Sequence, residues 1–465
     1  MKSYQEFLKE KEISYTPSGF ECEERNPALF GWQNDIVKWA LRKGKVCIFS
    51  DCGTGKTRIL LQWGSMVSKH EGRPALILAP LAVAAQTKKE GEKCGIPVRI
   101  VRDQAECGDG LNITNYEMLQ HFRPEEFCAV ILDESSIIKH KDGKTRQMLQ
   151  DMFEETKYKL CLTATPAPND FMELGTHAQF IGVMKQTEML ATFFVHDGGE
   201  TQNWRLKRHA EKKFFEWVAG WACCLRRPQD LGYMEEGYEL PELRIHEIAV
   251  KTDKTELIDG QIMMFAPVGK TLLERRSARR NSMDDRVEEA ARIANGTEEQ
   301  VLVWCDLNSE SKALTKAIQG AVEVEGSMSL EEKEEGIRGF LEGRNRVLVS
   351  KPSIAGFGIN AQNAHIEIFV GLSDSFEAYY QAVRRCWRFG QEKPVDVYIV
   401  ISDAEGAVKE NIQRKQADAE KMTGELIAFT KEFLKSDLRQ VKRDVEEYYA
   451  FEEMEVPEWM KNATA

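Results

Sequence analysis

The chain has 465 residues, enough for two or three domains, and a formal net charge of −12. Its 42% hydrophobic and 30% charged residues are typical of a globular protein that folds in water. No apolar run approaches the ~18 residues of a membrane-spanning helix, and the N-terminus has no apolar signal segment. We therefore expect a cytoplasmic protein without membrane contact.

The eleven cysteines are scattered and form no C-x-x-C pair. Several lie in apolar segments that predict strands, among them Cys47, Cys128, Cys161 and Cys305. This pattern indicates buried thiols in a reducing compartment and excludes a disulfide framework or a zinc site.

The first chemical motif is Ser-Asp-Cys-Gly-Thr-Gly-Lys-Thr at residues 50–57. It follows a predicted strand at 46–49 and precedes a predicted helix, which is the context of a phosphate-binding loop. Gly53, Thr54 and Gly55 would wrap the backbone around phosphates. Lys56 would contact the β and γ phosphates, and Thr57 would hold Mg²⁺.

A second motif lies 77 residues further on, where the apolar segment 130–132 ends in Asp133 and Glu134. After a phosphate-binding loop, such a pair predicts that Asp133 binds the Mg²⁺ of a nucleotide and that Glu134 orients the attacking water. The two motifs together predict a nucleoside triphosphatase that uses ATP and Mg²⁺.

Two sets of short apolar strands alternate with helical patterns, which predicts two parallel sheets covered by helices. The first set lies at 46–49, 75–78, 111–114, 129–132 and 160–162, and the second at 301–305, 347–349, 366–370 and 395–400. The stretch 174–243, rich in aromatic and basic residues, predicts helices, as does the charged stretch 409–451.

The second half should supply a group that contacts the γ phosphate. The segment 381–391 contains Arg385 and Arg388, three residues apart, which would share one face of a helix. Two guanidinium groups on one face can stabilise a transferring phosphoryl group, as arginine fingers do.

These motifs, in this order, resemble those of superfamily-two helicases, and within them the Swi/Snf branch of double-stranded DNA translocases. The resemblance covers residues 29–402 and implies an α/β fold of two RecA-like lobes. It rests on segments 29–33, 78–81, 113–119, 132–139, 162–170, 225–227, 240–243, 301–304, 350–360 and 381–391.

The resemblance also implies site residues. Gln33 stands where the family has its adenine-reading glutamine, and Gln381 opens the arginine segment. Gly358 and Asn360 lie in a glycine-rich segment that contacts DNA and nucleotide in the family. The implied partner is nucleic acid, most readily duplex DNA bound independently of sequence. Protein partners are not implied.

The chain departs from the family at several points. Ser135 and Ser136 replace the usual Ala-His, and Trp387 stands where the branch often has His. The aromatic-Asn-Pro signature is missing before the arginine segment, and the long insertions of chromatin remodellers are absent. This compactness favours a bacterial or phage protein.

The predicted organisation is an N-terminal extension (1–24), a first lobe that binds ATP (25–175), a helical insertion (176–245), a second lobe (246–402) and C-terminal helices (403–465). Three functions remain open at this point. The chain could be a duplex-DNA translocase, a strand-separating DNA or RNA helicase, or an ATP-gated clamp or loading factor for a replication or recombination partner.

Overall fold

The computed structural model of the protein describes residues 17–80, 83–139, 143–167, 170–196, 204–235, 238–250, 257–258, 261–262, 282–355, 359–373, 375–402 and 406–438. They form two lobes, each built on a parallel sheet. This confirms the predicted α/β class with two parallel-sheet lobes.

The sheet of lobe 1 has seven strands in the order β3-β4-β2-β5-β6-β1-β9, and all neighbours are parallel. Its strands are β1 (Lys45–Ser50), β2 (Ala75–Ala79), β3 (Val98–Ile100), β4 (Leu111–Asn115), β5 (Ala129–Asp133), β6 (Tyr158–Thr163) and β9 (Ala222–Leu225). The helices of this half are α1 (Gly31–Lys43), α2 (Lys56–Glu71), α3 (Ala84–Lys93), α4 (Lys144–Met152), α5 (Leu174–Phe180), α6 (Gln186–Phe193) and α7 (Glu211–Trp221).

The central strands are apolar throughout because both faces of this sheet are covered. Along β1, Val46 and Ile48 pack into one hydrophobic cluster, while Cys47 and Phe49 pack into the other. Side chains alternate between the two faces of a strand, so a strand buried on both sides needs apolar residues at every position. The buried thiols at Cys47, Cys128, Cys161 and Cys305 agree with the predicted apolar role.

The sheet of lobe 2 has six parallel strands in the order β10-β17-β16-β13-β15-β14. They are β10 (Leu243–Val250), β13 (Val301–Trp304), β14 (Ala321–Val324), β15 (Val347–Ser350), β16 (Ile366–Val370) and β17 (Val395–Ser402). The helices are α8 (Met283–Asn295), α9 (Asn308–Ala317), α10 (Leu330–Leu341), α11 (Pro352–Ala355) and α12 (Phe376–Val383).

The predicted helical insertion at 176–245 contains more strand than the sequence predicts. A small antiparallel pair there is formed by β7 (Phe194–His196) and β8 (Trp204–Leu206), and a second pair, β11 (Leu257–Ile258) and β12 (Gln261–Ile262), lies in the range predicted as the second lobe. Strand β9, inside the stretch predicted as helical, pairs with β1 and completes the first sheet.

The last described helix, α13 (Gly406–Leu438), follows lobe 2 in the chain but packs on lobe 1. Phe429 stacks on Phe215 of α7 with ring centroids 4.6 Å apart, and the Trp39 indole N–H donates to Asp437 at 2.8 Å. The helix also contacts α12 of lobe 2, so it links the two lobes. Within the described ranges, no helix has both the length and the apolar character needed to cross a bilayer.

Candidate active site

The phosphate-binding loop lies between β1 and α2, as the sequence predicts. Gly53 and Gly55 have φ angles of +84° and +81°, values that suit glycine, and Gly55 begins helix α2. The Lys56 ammonium group donates to the backbone carbonyls of Ser50 at 2.7 Å and Asp51 at 3.0 Å. The loop is therefore folded around its own lysine, with the α2 N-terminus facing the same space.

Ser50 occupies the position where the strict motif has glycine, and the structure explains how it fits. Its side chain is almost fully buried, and its hydroxyl lies 2.9 Å from the Thr54 hydroxyl. Thr54 also donates to the Asp51 carbonyl at 2.7 Å. The Ser50 side chain is therefore accommodated inside the loop by a hydrogen bond with Thr54.

The acidic pair lies at the carboxyl end of β5, in the middle of the same sheet. Burial raises the pKa of Asp133 to about 6, and the neighbouring Glu134 carboxylate adds to the rise. Glu134 has φ +56° and is the one non-glycine residue with positive φ among those described. Backbone strain of this kind is concentrated at functional sites.

Glu134 is held from two directions. The Thr163 hydroxyl, at the end of β6, donates to one carboxylate oxygen. The amide of Gln381, in helix α12 of lobe 2, lies 3.5 Å from the other oxygen. The carboxylate predicted to orient water is thus fixed by both lobes.

Arg385 and Arg388 lie in turns and not on the helix predicted for them, because α12 ends at Val383. Their side chains nevertheless converge: each donates to the Ile359 carbonyl, at 3.4 and 3.3 Å. The Arg385 guanidinium also donates to the Gln381 carbonyl and side chain, both at 2.7 Å.

The two guanidinium groups are buried close together. Burial and the adjacent Arg385 charge lower the pKa of Arg388 to about 10. Its Nε atom is buried and has no hydrogen-bond partner among the described residues. Two buried cations facing one cavity favour an anion there, since an anion would offset both their repulsion and their desolvation.

One cavity of about 100 Å³ between the lobes brings most of these groups together. Its lining includes eight residues that the sequence singles out: Gly53, Gly55, Lys56, Thr57, Asp133, Glu134, Arg385 and Arg388. Six come from lobe 1 and two from lobe 2, so the cavity exists only where the lobes meet.

Other predicted site residues lie outside this lining. Gln33 is buried behind the loop, where its amide donates to the Thr54 carbonyl at 3.0 Å and accepts from the Phe30 N–H. Gln381 is the link between Arg385 and Glu134 described above. Asn360 lines a wider groove, and Gly358 lies outside the described residues.

Lobe 2 also contacts the phosphate-binding loop directly, through residues to which the sequence analysis assigned no role. Arg384 forms an ion pair with Asp51 at 2.7 Å, and the Tyr380 hydroxyl donates to the same carboxylate at 2.6 Å. A Cβ added to Gly53 would lie only 2.9 Å from Phe389. Two features of the sequence could have indicated this contact: the acidic Asp51 inside the loop, and Arg384 as a third arginine in segment 381–391.

The surface around the cleft has unequal charge. A groove of 1190 Å³ on the α3 and α10 side is lined by eight glutamates but only four lysines or arginines. On the β9 side, a cavity of 510 Å³ collects a basic group: Arg226, Arg227, Arg384, Lys431 and Lys435. A further run of basic residues in the sequence, Arg275, Arg276, Arg279 and Arg280, lies outside the described residues.

The donor set of the small cavity fits Mg²⁺. The Thr57 hydroxyl and the buried Asp133 carboxylate are hard oxygen donors, which Mg²⁺ prefers. The described residues contain no group of three or more His, Cys, Asp or Glu that could hold a metal ion. A two-oxygen protein contribution agrees with a cation whose remaining ligands come from phosphates and water.

Comparison with protein-family models gives two matches. Residues 29–195 match the SNF2-related domain, and residues 285–390 match the helicase conserved C-terminal domain. Together they cover more than half of the chain. The first contains the phosphate-binding loop and the acidic pair, and the second contains both arginines. A search of curated proteins gave no significant match.

Proposed function

Because the chain belongs to the Swi/Snf-like branch of superfamily-two helicases and translocases, we propose that it is a motor that moves along double-stranded DNA by hydrolysing ATP. The family implies a nucleic-acid-dependent ATPase. Movement on duplex DNA is the part that we add.

In lobe 1, the triphosphate would lie on the loop between β1 and α2. Lys56 would exchange its two carbonyl partners for the β and γ phosphates, while the α2 N-terminus contributes partial positive charge. Thr57 and Asp133 would hold Mg²⁺, which neutralises phosphate charge when bound. Glu134, fixed by Thr163, would orient the attacking water.

In lobe 2, Arg385 and Arg388 would stabilise the charge on the transferring phosphoryl group. Both face the cavity that contains Lys56 and Glu134. Gln381 is hydrogen-bonded to both Arg385 and Glu134. The guanidinium that contacts the phosphoryl group and the carboxylate that orients water would therefore move together. Closure of the lobes would assemble the site, and hydrolysis would release it.

Two further residues have supporting roles in this proposal. Gln33 contacts the phosphate-binding loop through the Thr54 carbonyl, and we assign it the adenine contact that the family resemblance implies. Asn360 lines the wide groove, where its buried side-chain oxygen, Oδ1, has no hydrogen-bond partner among the described residues. We assign it a nucleic-acid or nucleotide contact there.

The single observation that carries the proposal is the cavity shared by both lobes. It places a phosphate-binding lysine, two carboxylates and two buried arginines around one small space. A binding module would need the loop but not the strained Glu134 or the paired arginines. The arrangement therefore favours hydrolysis over an ATP-gated clamp.

DNA binding would depend on local charge, because the protein is acidic overall. Arg226 and Arg227 line one cavity together with Lys431 and Lys435, and we assign phosphate contacts to this basic group. Contacts to about five phosphates of duplex DNA would give a log–log salt slope of about −4 to −5. The affinity should not depend on sequence.

The experiment that tests this proposal measures ATP turnover by the purified protein with duplex DNA, single-stranded DNA or RNA. We expect duplex DNA to stimulate turnover at least as well as single strands. Stimulation by single strands or RNA, with duplex DNA inert, would support the helicase alternative. ATP binding without turnover under all conditions would support the clamp.

A further inference from the structure

Lobe 2 also contacts lobe 1 at a second junction, formed by helix α12 and residues that follow β5 and β6. One carboxylate oxygen of Glu377, in helix α12, lies 3.0 Å from the Lys139 ammonium and accepts from the Thr165 hydroxyl at 2.9 Å. We call these three residues the Glu377 junction. Lys139 also lies 3.4 Å from the Thr165 hydroxyl, so the three groups form a closed triangle.

The junction is well shielded from solvent. The Lys139 side chain is only 6% exposed. Burial alone would raise the pKa of Glu377, but the Lys139 charge and the hydrogen bonds outweigh it, and the net shift is downward. Glu377 is therefore an anion that depends on lobe 1, and Lys139 is a shielded cation that depends on lobe 2. When the lobes separate, each group would exchange this partner for water.

The junction leads directly to the water-orienting carboxylate. The backbone N–H of Thr165 donates to the Thr163 hydroxyl oxygen at 3.1 Å, and the Thr163 hydroxyl donates to Glu134. A chain of hydrogen bonds thus joins Glu377 of lobe 2 to Glu134 of lobe 1 through two threonines. The Thr163 hydroxyl has one proton, and the N–H that it accepts fixes the direction in which it donates.

From this geometry we propose that Glu377 is a positioning residue, which makes the orientation of Glu134 conditional on closure of the lobes. Glu377 accepts a hydrogen bond from Thr165, the Thr165 N–H fixes the Thr163 hydroxyl, and Thr163 holds the Glu134 carboxylate. The inference rests on the proposed ATP hydrolysis and adds a residue outside the cavity lining.

The physical consequence is a second requirement for hydrolysis besides the arginines. When lobe 2 moves away, Glu377 moves with it and loses its contacts with Lys139 and Thr165. Thr163 and Glu134 then lose the restraint that orders them, and a catalytic group displaced by ~1 Å can lose ~10² in rate. ATP can still bind in the open form, because Lys56 and Thr57 belong to lobe 1 alone.

The test compares Glu377→Ala with the parent in single-turnover ATP hydrolysis and in equilibrium ATP binding, both with saturating duplex DNA. We expect the rate of the chemical step to fall about 10- to 100-fold while ATP affinity changes less than about twofold. Glu377→Gln keeps an oxygen that can accept from Thr165, so it should recover part of the loss. Glu298→Ala, an exposed glutamate of the same lobe, is the matched control and should behave as the parent does.

Two further variants separate positioning from a general structural role. Thr165→Val removes the hydroxyl that contacts Glu377 and should reproduce the loss even if Glu377→Ala folds poorly. In a Glu134→Gln background, Glu377→Ala should cause no additional loss, because both changes act on the same group.

An unchanged chemical step in Glu377→Ala and Thr165→Val, beside an active parent, would overturn the inference and leave the proposed function intact. The inference would also be overturned if Glu377→Ala slowed the chemical step as much in the Glu134→Gln background as it does in the parent. If the parent hydrolyses no more ATP than a Lys56→Ala variant, the proposed function itself fails, and this inference fails with it.

Discussion

The two halves of the candidate site are built in different ways. In lobe 1, Lys56 and Thr57 follow β1 at the start of α2, and Asp133 and Glu134 follow β5. Only β6 lies between these two strands, so the sheet itself fixes the spacing of the two motifs. In lobe 2, the arginines lie in turns after a short helix and are held largely by backbone carbonyls and by Gln381.

This difference separates binding from chemistry. The lobe 1 half has an anion-binding loop that is complete within one sheet, so it can bind a nucleotide when the lobes are apart. The lobe 2 half contributes mainly positive charge, and the part of lobe 2 that the structure describes adds no second phosphate-binding loop. Changes in lobe 1 should therefore affect binding and turnover together, whereas changes in lobe 2 should affect turnover.

The largest effect is expected for Lys56→Ala, which removes the cation of the lobe 1 half. ATP affinity and turnover should both be lost, because no other side chain of the loop carries a positive charge. Binding of a fluorescent ATP analogue and phosphate release measure the two losses. Lys69→Ala, at the exposed far end of the same helix, is the control. Unchanged turnover would contradict the assignment of the loop.

A smaller effect, within lobe 1 but on chemistry alone, is expected for Glu134→Gln. The amide can still accept from Thr163 but is a poor base for water, so turnover should fall by ~10² or more while ATP remains bound. Phosphate release measures turnover, and equilibrium binding measures ATP affinity. Glu126→Gln, at an exposed position, is the control. Loss of ATP binding would instead make Glu134 a structural or metal-binding residue.

The smallest effect concerns the stability of lobe 2. Burial raises the pKa of Glu367, whose carboxylate accepts from the Trp304 indole at 2.7 Å, to about 8. The folded protein thus keeps a proton that the unfolded chain releases above its ordinary pKa of 4.5, and stability falls as pH rises from about 5 to about 8.

Glu367→Gln cannot release this proton. The variant should therefore gain stability relative to the parent as pH rises through that window, and level off above it. Urea midpoints for lobe 2 tryptophan fluorescence at several pH values measure the gain, and the exposed Glu298→Gln serves as control. A difference between variant and parent that does not change with pH would mean that Glu367 stays ionised in the fold.

Much of the fold could be predicted because buried parallel strands are continuous apolar runs. The central strands β1, β2, β5 and β6 of lobe 1 and β13, β15 and β16 of lobe 2 carry this signal. Strand β3 has only three residues, and β14 and β10 carry polar residues at the edges of their sheet, so these strands lack it. Strand β9 is a four-residue run after a helix, and hydrophobic periodicity cannot distinguish such a run from helix.

The chemical groups of the cavity could be predicted because each motif is local in sequence. The contacts between the lobes could not, since they depend on how two separate sheets pack. Asp51 with Arg384, Glu377 with Lys139, and Phe389 against Gly53 are each pairs from distant parts of the chain. The left-handed backbone of Glu134 is likewise a property of the folded strand end, and no pattern of residue types indicates it.

The most direct test of a site divided between two lobes is to measure ATP binding and hydrolysis separately in Arg388→Ala. Arg292→Ala, an exposed arginine of the same lobe paired with Glu289, is the control. We expect Arg388→Ala to bind ATP with nearly the affinity of the parent but to lose up to ~10³ in turnover with duplex DNA. Turnover within about twofold of the parent, as for an ordinary surface substitution, would contradict the account.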